Sequence, residues 1–164
     1  MAKSEDKSKL EGLRKNYEVL RKKHNLPSFE DLNEDFHIEK ISESETEILI
    51  REIRKFMGDK IINYMRFLEN LINPVNVPVF IYSVVKLLGP EDKKKLSVIY
   101  KELMKNEILF IERDLEFDEN KEAEFIKDSY KLWQDVKKDL LEITAKVKGK
   151  WDDKVEINSK GYFG

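Results

Sequence analysis

The sequence predicts an all-α fold: an antiparallel bundle of four main helices, with an N-terminal docking helix and a short C-terminal tail. Three observations carry that prediction. Turn signals are sparse, with six glycines and four prolines in 164 residues. The apolar residues recur at spacings of three and four rather than two, which is the period of a helix face. Charged and apolar residues are almost equally abundant, at 39% and 40%, as expected of helices divided lengthwise into a buried half and a wet half.

The first helix is expected over about residues 4–25. Leu10, Leu13, Tyr17, Leu20 and His24 form one narrow line on it, the stripe of a helix that docks on a surface or a coiled-coil partner. Asn25-Leu26-Pro27 stops it, because the proline ring pushes the preceding residue out of the α region. Residues 26–42 read as an acidic linker holding one short helical turn, anchored by Phe29, Leu32, Phe36 and Ile38. The second helix should run from Glu43 to Asn73, opened by overlapping Ser-x-x-Glu capping boxes at Ser42/Glu45 and Ser44/Glu47. Its apolar residues, from Leu49 to Ile72, cover half of its circumference.

Residues 79–88 lie between Pro78 and Gly89 and are apolar all round, which predicts a short helix and the most buried element of the fold. Their Val, Ile, Phe and Tyr would also suit a strand; the proline before and the glycine after favour the helix. Pro90 opens the fourth helix, with Glu91 and Asp92 where acidic groups complement the macrodipole, and it extends to about Asp114 or Phe117. The fifth covers about Glu119 to Lys148, and Gly149 is expected to end it. One domain spanning 1–164 results: a basic helix over 1–25, an acidic linker over 26–42, a helical core over 43–148 and a tail over 149–164.

Composition narrows the chemistry. There is no cysteine, which removes thiolate nucleophiles, thiolate metal sites and redox switching. The charged N-terminus lacks the apolar stretch of a signal peptide. The longest apolar run, Val77–Leu88, falls short of the roughly 20 residues that span a bilayer, so a cytoplasmic chain without membrane attachment is expected. No phosphate-binding glycine loop, dinucleotide fingerprint or nucleophile elbow is present. Glu34 and His37 have the Glu-x-x-His spacing of helical di-metal sites, but such a site needs the motif twice and the chain has two histidines in all. Arg21 and His24 lie on adjacent turns, as a phosphate-cleaving pair would, without a third group at a recognisable spacing. No catalytic, cofactor or metal residue is therefore assigned. Arg54 and Lys60 interrupt the apolar half of the second helix, and Glu107 and Asp114 the apolar line of the fourth. Opposite charges are expected to pair there, since an unpaired buried charge is costly.

The leading expectation is a non-catalytic protein–protein interaction module, an adaptor, regulator or complex subunit that binds a protein partner or a second copy. Leu13, Tyr17 and Leu20 on the first helix, and Trp151, Tyr162 and Phe163 near the C-terminus, are the candidate docking residues, aromatics being typical interface anchors. The alternative is an RNA- or ribonucleoprotein-associated factor. The net charge of −2 conceals a segregation: residues 1–24 carry eight basic and four acidic groups, whereas 28–52 carry two and nine. Arg14, Lys15, Arg21, Lys22 and Lys23 are the candidate phosphate contacts, with Lys93, Lys94 and Lys95 as a further basic cluster.

Overall fold

The computed structural model describes the backbone of residues 2–161 and the side chains of residues 7–153. Within them the protein is all-α, without a strand. The elements are α1 (Ala2–His24), α2 (Phe29–Phe36), a 3₁₀ turn (Ile38–Glu43), α3 (Leu49–Ile72), α4 (Val79–Leu87), α5 (Pro90–Leu115) and α6 (Glu119–Gly161). The chain divides into two compact units. One comprises Met1–Asn63 and Lys105–Leu132, the other Tyr64–Met104 and Trp133–Gly164. Helices α3, α5 and α6 each contribute to both.

In the first unit, α1 packs on α2 and the 3₁₀ turn. The acidic linker is thus more ordered than one short turn. Ser28 caps α2 by accepting a hydrogen bond from the Asp31 amide at 3.1 Å, and Phe29, Leu32 and Phe36, spaced three and four apart, are buried. Tyr17 is fully buried against them: its hydroxyl donates to the Pro27 carbonyl at 2.6 Å, and its ring meets Phe29 edge-on at 5.6 Å. Burial pushes the Tyr17 phenol well above its usual range.

The start of α3 departs from the expected boundary by six residues. The Ser42 and Ser44 hydroxyls donate backwards, to the Glu39 carbonyl at 2.7 Å and the Ile41 carbonyl at 3.3 Å. They close the 3₁₀ turn instead of capping the following helix, a competition that short hydroxyl side chains often win. Residues 44–48 are left outside any helix, and Glu45 and Glu47 are exposed.

Helix α3 meets α5 at Gly58. A Cβ placed there would fall inside the van der Waals envelope of the Phe110 ring, with Cζ at 3.0 Å. The same ring stacks under the Arg54 guanidinium at 4.5 Å and tilts against Phe125 at 6.1 Å.

In the second unit, the buried apolar set is Leu68, Leu71, Ile81, Leu87, Leu88, Leu96, Ile99, Leu103, Trp133, Val136 and Ile143. Tyr64 meets Trp133 at 4.9 Å, near-perpendicular. Lys95 bridges Asp139 and Glu142 of α6, both at 2.9 Å, and Lys146 reaches Asp92 at 3.3 Å. The Asp92 carboxylate accepts from the Gly89 amide at 3.1 Å. That bond, followed by Lys146, holds its pKa below the usual carboxylate range.

Two further expectations are corrected. Helix α4 is not the most buried element: only Ile81 and Leu87 of its nine residues are buried. Gly149 does not end α6, which runs through it to Gly161. Glycine weakens a helix interior by about 1 kcal/mol but does not force a stop, and no proline follows within reach. The region expected as a tail from 149 is therefore helical to Gly161.

Candidate interaction surfaces

The sequence-predicted docking residues separate into three groups. Leu13 and Tyr17 are buried under the chain's own α2 and 3₁₀ turn; the stripe of α1 finds its partner within the protein. Leu20 is half-buried, and Trp151, on α6 rather than on a tail, is 44% exposed. Tyr162 and Phe163 lie outside the described residues.

The basic face of α1 is largely occupied by carboxylates. Arg14 pairs with Glu30 and stacks on Phe29 at 4.4 Å. Arg21 makes a forked pair with Glu18, at 2.7 and 2.8 Å, and Lys22 approaches the same carboxylate at 3.8 Å. Lys23 and His24 both contact Glu119 Oε1 at 2.7 Å, which lowers the Glu119 pKa and ties the end of α1 to the start of α6. Lys15 is exposed. Glu34 and His37 are not presented to one side: Glu34 is on α2, and His37 is its left-handed C-cap at φ 54°. Among the described residues no group of three or more His, Cys, Asp or Glu is arranged to hold a metal ion.

The expected pairing of core charges is present with a changed cast. Arg54 is fully buried and forms ion pairs with Asp114 at 2.8 Å and with Glu122 at 2.7 Å. Asp114 belonged to the predicted set; Glu122, fully buried, did not, and Glu107 is half-buried. The Arg54 guanidinium holds the Asp114 carboxyl below its usual range. For Glu122 burial outweighs the attraction of Arg54, Arg51 and Arg113, so its pKa is raised. Nearby in the same unit, Asn106 Nδ2 donates to Ser129 Oγ at 2.7 Å, both side chains buried. The signal for these residues is positional: Glu122, Ile126, Ser129, Trp133 and Val136 follow one four-three line on α6, so a polar residue on that line is a buried one.

The surface that stands out is α4 with the segment leading into it. In a chain where 39% of residues are charged, residues 70–90 contain one charged group, Lys86. Val75 is 67% exposed, Val79 83%, Phe80 64% and Tyr82 51%. Lys86 lies over the Tyr82 ring at 4.8 Å. A second, shorter apolar line, Ile108, Ile111 and Leu115, is exposed on α5.

Comparison of the chain with protein-family models, curated proteins and solved structures finds no match. No helix among the described residues is long and apolar enough to cross a membrane.

Proposed function

We propose that this protein is a non-catalytic helical interaction module, an adaptor, regulator or complex subunit, that engages a protein partner through α4 and the 73–78 segment before it. The observation that carries the reading is the exposure of Val75, Val79, Phe80 and Tyr82 within a stretch holding a single charge. Exposed apolar residues scattered singly are ordinary on protein surfaces, whereas a contiguous group marks an interaction site. Aromatic side chains supply the anchoring area of interfaces at low entropic cost. The charged side chains that converge elsewhere, Arg54 with Asp114 and Glu122, neutralise one another, which suits a structural role.

The test is a Val79→Asp/Phe80→Asp double variant of the full chain. Both positions face water, so the circular-dichroism melt should match the parent. Partners retained from lysate of the native cell by the immobilised parent, and self-association by sedimentation, should be lost in the variant. Equal retention by both proteins, or no retention and no self-association by the parent, would refute the assignment.

A further inference from the structure

A groove in the first unit runs along α1, opposite the 3₁₀ turn and the non-helical segment 44–48. It consists of three depressions of about 380, 400 and 390 Å³. The first and second share Lys9, Ser42 and Glu43; the first and third share Asn16, Thr46 and Leu49. They are therefore neighbours in a row, from Lys9 to Leu20 along the helix. That length is about 16 Å at 1.5 Å per residue, the reach of about five extended residues.

The groove combines an apolar floor with an acidic edge. Leu13, Ile41 and Leu49 line its middle, and Leu20 and Ile48 one end. Gly12 lies on its wall, where a side chain would meet nothing within 4 Å. Among its charged lining residues Glu39, Glu43, Glu45, Glu47 and Glu119 outnumber Lys9 and Lys40, Glu119 being already paired with Lys23 and His24. The edge owes its character to the diverted hydroxyls of Ser42 and Ser44: had they capped α3, Glu45 and Glu47 would occupy its first turn beside the helix amides. Instead both carboxylates are exposed.

We propose that this groove binds a short basic segment of a partner protein, with apolar side chains on the Leu13–Ile41–Leu49 floor and lysine or arginine side chains along the Glu43–Glu47 edge. Charge complementarity selects the occupant, since an acidic segment would be repelled by the exposed Glu43, Glu45 and Glu47 carboxylates and a neutral one would leave them unanswered. The inference rests on the reading of the protein as an interaction module but uses none of the α4 residues, so the two fail separately.

The probe is a fluorescein-labelled hexapeptide alternating leucine with lysine, compared with its glutamate counterpart by anisotropy on the full chain. The lysine peptide should bind at least about tenfold more tightly, a difference of about 1.4 kcal/mol, and should shift amide NMR signals of residues 9–20 and 41–50. Gly12→Phe fills the groove from a position with open space and better helix propensity, so it should fold and weaken binding at least about tenfold. Glu43→Lys/Glu45→Lys/Glu47→Lys should invert the preference towards the glutamate peptide. Val79→Asp/Phe80→Asp should leave peptide binding intact. Binding indifferent to Gly12→Phe, equal affinity for the two peptides, or shifts confined to other residues would overturn the proposal. So would a parent dimer that Gly12→Phe dissolves, because the occupant would then be a second copy.

Discussion

Replacing Gly58 by alanine sets two effects of known sign against each other. In a helix interior alanine is better than glycine by about 1 kcal/mol. At Gly149, where a Cβ would meet nothing within 4 Å, Gly149→Ala should therefore stabilise by up to about that amount. At Gly58 the added methyl would penetrate the Phe110 ring. That ring has little room to retreat, being stacked under Arg54 and tilted on Phe125. Overpacking of this kind costs about 1–3 kcal/mol, and displacing the ring also weakens a cation–π contact worth about 0.5–2 kcal/mol. Gly58→Ala should thus be net destabilising by about 1–2 kcal/mol, a fall in melting temperature of a few degrees at about 2–4 °C per kcal/mol. Urea titration followed at 222 nm, on Gly58→Ala, Gly149→Ala and each in a Phe110→Ala background, measures it. In that background Gly58→Ala should turn stabilising, because the obstructing ring is gone. If Gly58→Ala raised the midpoint as Gly149→Ala does, the close approach of α3 and α5 would be refuted.

Removing one member of the buried ion pair should cost more than removing both. Glu122→Leu leaves the buried Arg54 guanidinium with only the half-exposed Asp114 carboxylate, so it should destabilise by less than the about 3–5 kcal/mol of a fully unpaired buried charge, and Arg54→Met/Glu122→Leu should recover part of the loss; equal losses in urea melts would show that the pair is not coupled. Acid should destabilise the protein through its paired carboxylates. Asp114, Glu119 and Asp92 have lowered pKa values in the fold, so the stability they add is present above the unfolded carboxylate range and is lost as pH falls through their folded values, below about pH 4. Glu122 has the opposite sign: its raised pKa makes its contribution fullest below about pH 4.3 and lost as pH rises through the folded value. Thermal melts should accordingly show Asp114→Asn reducing the acid-side slope, and Glu122→Gln removing a decline on the neutral side; parallel profiles for parent and variants would contradict both assignments.

The helical class was legible because periodicity and punctuation agree along the chain: Pro27 and Pro90 bound helices as their chemistry predicts. The errors lie where two local preferences compete. Ser42 and Ser44 are equally able to cap a helix ahead or close a turn behind, and only the docking of Ile38 and Ile41 beneath α1 decides. The stripe on α1 was visible, but not its occupant: Phe29, Leu32 and Phe36 carry the complementary spacing, beginning only nine residues beyond Leu20. Exposure was the least legible property. The run from Val77 to Leu88 is as apolar as a core helix, and nothing in its composition distinguishes a face turned inward from one turned to water. Glu122 shows the reverse case: it sits among charged neighbours, but its position on the four-three line places it inside.

The polar contacts of the first unit also restrict how its helices can slide. A seam lined only by leucine and isoleucine looks much the same after a shift of one turn, about 5.4 Å. Here a one-turn shift of α6 against α3 that brought Ile126 to the place of Glu122 would draw the carboxylate away from Arg54, and a one-turn shift against α5 would separate Ser129 from Asn106. Glu122, Ser129 and Asn106 would lose these partners while still dehydrated, a penalty that grows with every contact broken. The observed longitudinal setting is therefore favoured over a slide towards Ile126 by four residues that add little to the apolar core itself.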